Sequence, residues 1–518
     1  MRKLTALLLL IPMCLQANPI AIELQENDFV QGKLTQLAHH NLNLTIQFPD
    51  RTERVLLRDI FGEADFMFKA EQTGTAQFSI TENQQPVPTS DFALTITRHV
   101  HQAQQVALPS TFENQRLSEL SAKIQQFPKQ KTELLDQFWQ QVKQQGTPLI
   151  EPLNAQESRV TFLWKGAKEN VRIWGGVSAD HDFMQRFLDT DLWYRSYVVP
   201  NDTLVEYRFA PDIPTLPVDA STQRRALLST AQADPYNPNI YFDRIGDTLK
   251  NTDRFNYYSV LKLPNAPKQL DLTPNANFAK GSIDTVIFDS KELQNKRRLF
   301  VYKPANFDPT LHYPVLYLFD GIDYLKRVPT TIILDNLIAT QKIPPIVAVF
   351  IENPSVQSRT KELTANSKFA EILAEKIVPF VEKQQKINAK TRIIAGSSYG
   401  GLAAAYVPLN HSDVFANALV LSGSFWWSPP NTPQEQSNYI AYRYATQPNL
   451  PICFFISTGY YESGKSQILE TSRHLKDVLI AKNYPVAYVE QSTAHGYLAW
   501  QGLIREGLIT LLTKRNCH

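Results

Sequence analysis

From Pro19 to about Ala107 apolar and polar residues alternate in short runs, "NLNLTIQF", "ERVLLRDI", "AQFSITE" and "FALTITRH", separated by turn residues. A period of two predicts strands with one buried face, so 19–107 is expected to form a small antiparallel β-sandwich domain. The pattern then changes. "SELSAKIQQFPKQKTELLDQFWQQVKQQG" places apolar residues at helical spacing and stops at Gly146, which makes 108–150 a helical connector. Strand patterns return from Ser158 to Phe209 in "RVTFLWKG", "NVRIWGG", "LWYRSYVV" and "LVEYRFAP". Their length and aromatic content predict an immunoglobulin-like β-sandwich over 151–215. Trp164, Trp174 and Trp193 are read as core residues of that domain rather than a sugar platform. Residues 216–280 are rich in Pro, Asn, Asp and Thr and read as a linker wrapped around a neighbouring domain. Beyond 281, continuous apolar runs such as "YPVLYLFDG", "IPPIVAVFI", "TRIIAGS" and "LPICFFISTG" alternate with helical patterns. Strands that are apolar on both faces predict a mostly parallel central sheet covered by helices. The expected architecture is two N-terminal β-sandwich domains followed by an α/β domain over 281–518.

Composition changes this picture little: 43% hydrophobic, 20% charged and a net charge of +2 give no reason to expect a nucleic-acid or anionic-membrane partner. The first stretch, "MRKLTALLLLIPMCLQANP", does change it. Two basic residues, an apolar run too short to span a bilayer and the small residue Ala17 predict a signal peptide over 1–17. Pro12-Met13 before Cys14 makes a poor lipidation signal, so cleavage near Ala17 is expected. Export to the periplasm follows, with secretion as the second choice. Of the cysteines left after processing, Cys453 sits in the apolar "PICFFIST" and is expected as a buried free thiol rather than paired with Cys517. The ten histidines are scattered, and neither His39-His40 nor His99-x-His101 has further ligands at useful spacing. These four are expected on strand surfaces, and no metal or cofactor is expected.

The candidate chemistry lies in "RIIAGSSYGGL", residues 392–402. Here an apolar strand runs into Gly396-x-Ser398-x-Gly400 and then into a helical pattern. A nucleophile on so sharp a turn needs small residues two positions to either side, where the chain passes close to itself. The following helix N-terminus favours negative charge beside the serine. The motif in this setting predicts a nucleophile at Ser398 rather than Ser397, on which the glycines are not centred. A serine hydroxyl needs a base, and in this architecture the acid and the histidine follow it in the chain. His495, in "VEQSTAHGYLAW", is the histidine placed in a loop directly after a strand. Glu462 is the carboxylate in the loop after the preceding strand and is preferred as the orienting acid over Asp477, which belongs to the following helix. The oxyanion donors are expected to be the amides of Tyr399 and of Ile322 in "YLFDGID".

With these residues assembled, the chain resembles the enterochelin (enterobactin) esterase family of α/β-hydrolases from about Ser118 to His518. The resemblance rests on "VTFLWKG", "DPYNP", "YLFDG", "RTKEL", "GSSYGGL", "SGSFWW" and "AHGYLAW". It implies an esterase acting on ferric catecholate siderophore lactones. It also implies that Arg359, Trp426 and Trp427 line the pocket, a cation and stacking rings that suit a bulky aromatic anion. Gly496 stands where the family commonly has Asp after the histidine, and the first domain is extra. The leading reading is an exported serine esterase acting through an acyl-enzyme. Other readings are an esterase for another bulky ester, such as a feruloyl or sugar ester, or a non-catalytic binding protein with a degenerate hydrolase domain.

Overall fold

The computed structural model describes residues 20–38, 41–102, 105, 111–178, 180–464 and 467–513. The expected signal peptide, His39, His40, Cys517 and His518 lie outside the described residues. The chain divides into two compact units, Met1–Pro109 and Ser110–His518.

The first unit holds strands β1 (Ile20–Leu24), β2 (Phe29–Gln36), β3 (Leu42–Gln47), β4 (Glu53–Ile60), β5 (Glu63–Lys69), β6 (Gly74–Glu82), β7 (Gln85–Pro86) and β8 (Phe92–Val100). One sheet runs β1-β6-β3-β4 with β7 on β6, and the other runs β5-β2-β8. The alternation puts Val30, Leu34, Phe66 and Phe68 from one sheet and Leu44, Ile46, Phe78 and Ile80 from the other into one shared core. His99 and His101 do not stand alone on the strand surface. Both converge on Asp28, 71 and 73 residues earlier, so the distance along the chain hid the partner. Burial by itself would raise the Asp28 carboxyl, but the Gln25 amide and the two imidazoles hold it below its ordinary value.

In the second unit the connector is part of a folded module. Helix Gln115–Gln126 is capped by the Asn114 side chain, which accepts from the Leu117 amide at 3.1 Å. With helix Lys131–Gln145 it presents Leu117, Ile124, Phe138 and Val142 to Leu149, Leu163 and Leu192 of the adjoining sheet. That sheet, β12-β13-β10-β9, is built from β9 (Leu149–Pro152), β10 (Glu157–Lys165), β12 (Gln185–Arg186) and β13 (Leu192–Pro200). A second sheet, β11-β14-β16-β15, comprises β11 (Val171–Gly175), β14 (Leu204–Pro211), β15 (Ile240–Phe242) and β16 (Tyr257–Lys262). The last two strands lie inside the stretch expected to be linker, which is thereby corrected: "NIYF" and "YYSVLK" are too short and too flanked by Pro, Asn and Asp to show a period of their own. Trp164 and Trp193 are buried in the core between the sheets, whereas Trp174 is only partly buried, which corrects its expected place in that core.

The remainder is an eight-stranded sheet in the order β17-β18-β20-β19-β21-β22-β23-β24. Its strands are β17 (Ser282–Ser290), β18 (Asn295–Lys303), β19 (His312–Leu318), β20 (Val347–Ile351), β21 (Asn388–Ser397), β22 (Asn417–Leu421), β23 (Cys453–Gly459) and β24 (Val486–Gln491). The β17–β18 and β18–β20 pairings are antiparallel and the others parallel. Apolar clusters cover both faces, with Val349, Ile394 and Val420 in one and Ala348, Ile393 and Leu419 in the other. This is why these strands read as unbroken apolar runs. Cys453 is buried here but is disulfide-bonded, which corrects the expected free thiol. Among the described residues no helix is long and apolar enough to cross a membrane.

Candidate active site

β21 lies in the interior of the sheet and delivers Ser398 at its carboxyl end. The serine has φ 57° and ψ −120°, a strained conformation for a residue with a Cβ, and helix Tyr399–Asn410 starts at the next residue. The flanking glycines are needed for close approach. A Cβ on Gly396 would stand 2.5 Å from the carbonyl carbon of Gly400, so any side chain there would push the helix off the strand. The turn is tied down by the Ser398 amide donating to Leu421 O at 3.0 Å and the Ser424 amide donating to Ser398 O at 3.1 Å.

The two loops that follow β23 and β24 meet beside it. A Cβ on Gly459 would lie 2.3 Å from Thr493 O, and the Tyr461 amide donates to that same oxygen at 3.1 Å. This contact sets Glu462 against His495, with His495 Nδ1 and Glu462 Oε1 2.5 Å apart. Glu462 is 2% exposed, and its Oε2 accepts from the Gly459 amide at 2.5 Å and from the Thr458 hydroxyl at 3.1 Å. A carboxylate so held fixes the imidazole ring with Nδ1 turned to the acid. Trp500 stands edge-on to the ring at 4.9 Å, and its Nε1 donates to Ser422 Oγ at 3.0 Å. Asp477 is elsewhere, on helix Ile468–Ala481, exposed and paired with Lys476. The Ser398 hydroxyl pairs with Ser424 Oγ at 3.4 Å rather than with the imidazole.

Tyr399 and Ile322 both lie in the first turn of a helix, where amides have no acceptor within the helix. Gly321, which opens the helix of Ile322, is pressed against β20, where a Cβ would be 2.6 Å from the carbonyl carbon of Phe350. Arg359 grips Asp320 with both prongs, Nε to Oδ1 at 2.7 Å and Nη2 to Oδ2 at 2.9 Å. Its guanidinium also stands 5.5 Å from the centre of the Tyr399 ring. Arg359 therefore fastens the turn before Ile322 while forming part of the cavity wall. Trp426, 42% exposed, lines the same cavity, whereas Trp427 packs against the core beneath.

Ser398, Tyr399, Glu462 and His495 open onto a single cavity of about 740 Å³. Part of its wall comes from the module of β9–β16, through Trp174, Glu206, Tyr241 and Tyr258. The module is fixed to the loops of the acid and the base by the Leu204 amide donating to Ser492 O at 3.0 Å and by Thr203 Oγ1 and Tyr461 OH at 2.7 Å. Glu206 was not anticipated. Burial pushes its carboxyl up to about 7, against the opposing pull of the Glu206 and Leu498 amides and, less strongly, of Arg327 and His495, and its buried Oε2 has no hydrogen-bond partner among the described residues. A Cβ at Gly496 would come within 1.7 Å of Glu206 Oε1, so the glycine after the histidine leaves the room that this carboxyl fills. One signal existed in the sequence, a lone acid inside the apolar strand "LVEYRFAP". Arg327, also in the wall, is paired with Asp243 and stacks 4.3 Å over Tyr497.

Comparison with known proteins follows the same division of the molecule. Residues 159–272 match the family model described as "Enterochelin esterase, N-terminal" and residues 290–511 match "Putative esterase". The iron(III) enterobactin esterase of Dickeya dadantii is 26% identical over 73% of this chain and 92% of its own. That of Escherichia coli K12 is 26% identical over 70% and 94%. The crystal structure of the Shigella flexneri enterobactin esterase in the presence of enterobactin is 26% identical, covers 71% of this chain and 95% of its own, and superposes with a TM-score of 0.55. Both matched segments lie in the unit that builds the serine cavity, and by them the chain belongs to the enterochelin esterase family and is a carboxylic ester hydrolase.

Proposed function

We propose that this protein is an exported serine esterase that hydrolyses the ester bonds of catecholate siderophores, the ferric complexes included, and so takes part in iron acquisition. One observation carries the reading: a single cavity holds Ser398 and the His495–Glu462 pair together with arginines and aromatic rings from two modules. Catecholate rings are flat and their ferric complexes anionic, so Arg327, Arg359, Trp174 and Trp426 offer stacking and charge. The named activity of the relatives supports the same substrate class.

In this mechanism a change of rotamer brings the Ser398 hydroxyl from Ser424 to His495 Nε2, a contact that commonly tightens only with substrate bound. The serine oxygen attacks the ester carbonyl as the imidazole takes its proton, and the Tyr399 and Ile322 amides receive the oxyanion. The imidazolium, stabilised by Glu462, protonates the leaving alcohol. Water then repeats the sequence on the acyl-serine with His495 again as base, releasing the carboxylic acid. Chromatography of ferric and iron-free enterobactin after incubation with the protein tests the reading. The trilactone should be cleaved by the wild type and left whole by Ser398→Ala. An intact trilactone in a preparation that still cleaves p-nitrophenyl esters would overturn the substrate. Mass measurement of the exported chain tests the leader, with removal of residues up to about Ala17 expected.

A further inference from the structure

We propose that Asp28, His99 and His101 form a binding site for a divalent transition-metal ion, of the Zn²⁺ class, in the first unit. The strand register builds it. β2 and β8 pair with Val30 opposite His99 and Phe29 opposite Val100, so the same ladder continued one step sets Asp28 across from His101. Residues 99 and 101 fall on one face by the two-residue period, and His99 is the diagonal neighbour of Asp28 on that face. The carboxylate is entirely buried while the His99 and His101 side chains are 26% and 45% exposed, so the cluster has a closed floor and an open mouth.

Both carboxylate oxygens are aimed at imidazole nitrogens, Oδ2 at His99 Nε2 at 2.7 Å and Oδ1 at His101 Nδ1 at 2.9 Å. The Gln25 amide also donates to Oδ2 at 2.8 Å, which fixes the orientation of the carboxylate from outside the cluster. One donor atom from each of the three residues lies within 4.8 Å of the others. Ligands bonded at about 2.0–2.2 Å to one ion stand roughly 3–4 Å apart, so a small swing of the exposed imidazoles accommodates it. Two neutral imidazoles and one carboxylate suit borderline ions such as Zn²⁺, Cu²⁺ or Ni²⁺ rather than Mg²⁺ or Ca²⁺, which prefer oxygen donors. Three protein ligands leave at least one position for water or for a donor from a bound molecule. Metal binding here would exchange two nitrogen-to-carboxylate hydrogen bonds for three coordinate bonds.

The test is calorimetric titration of ZnCl₂ into the full chain after chelator treatment, in phosphate-free buffer. His101→Ala and Asp28→Asn are titrated alongside, with circular dichroism checking that each is folded. His101, at the rim, is the substitution that disturbs the fold least. One Zn²⁺ per chain is expected for the wild type, with a loss of roughly tenfold or more in affinity for either variant. Failure of the wild type to bind at tens of micromolar Zn²⁺, or equal binding by a folded His101→Ala, would overturn the site. The result does not depend on the esterase reading, since neither measurement uses an ester.

Discussion

At the scale of single residues, Ser398, His495 and Glu462 are the groups whose chemistry can be removed without moving the backbone. Ser398→Ala should lower kcat/KM on a p-nitrophenyl ester by about 10³-fold or more, leaving what the amides and the cavity supply. Glu462→Gln keeps the shape but loses the charge facing Nδ1. It should cost about 10²–10⁴-fold, mainly in kcat, by steady-state kinetics. Glu206 has an effect of the opposite kind, on stability. Its carboxyl is pushed up to about 7 in the folded chain, from an ordinary value of 4.5. Between those values the folded state holds a proton that the unfolded state has lost, so stability declines as pH rises through this window. At pH 8 the ionised group opposes folding by about 3 kcal/mol. Glu206→Gln should therefore be more stable than the wild type at pH 8 and nearly equal to it at pH 4.5. Urea unfolding at the two pH values measures the difference, with Arg327, His495, Tyr241 and Tyr258 left in place around the site.

At the scale of elements, the short helix Val356–Glu362 shows how one turn can serve both the site and the fold. Residues three apart share a face, and "RTKEL" uses this to send Arg359 to Asp320 and Glu362 to Arg297. The second pair is almost fully enclosed, with Arg297 1% and Glu362 4% exposed. Glu362→Ala would strand a buried guanidinium and should cost about 3–5 kcal/mol in thermal or urea denaturation. Replacing both partners with apolar residues of similar volume should cost far less. The strand–turn–helix around Ser398 was legible because its cause is local: glycines two residues either side of a serine, between an apolar run and a helical one. The strands β15 and β16 were not, because each gains its identity only by pairing, β16 with β14 and β15 with β16. A strand of three residues carries no period to read.

At the scale of the molecule, every group assigned to ester hydrolysis belongs to the unit Ser110–His518, which has its own cores on both faces of the large sheet and between the two smaller ones. A chain beginning at Ser110 should fold and keep kcat/KM on a small ester within about threefold, and should lose any Zn²⁺ binding that depends on Asp28. Activity assays and titration on this truncation check both outcomes. The module of β9–β16 is different in kind, because it supplies part of the cavity wall and is hydrogen-bonded to the loops of Glu462 and His495.

The sequence alone determined whatever depends on neighbours along the chain: the alternation of the first strands, the unbroken runs of the parallel sheet, the glycine turn at Ser398, and the loops after β23 and β24 that carry an acid and a histidine. Tertiary structure decided what depends on neighbours in space. Arg359 reaches Asp320, Glu206 comes from another module into the gap beside Gly496, and Asp28 meets two histidines more than seventy residues away. Spacing in a sequence records distance along the backbone, and a carboxylate buried by a distant strand leaves no mark in that spacing until the sheets have formed.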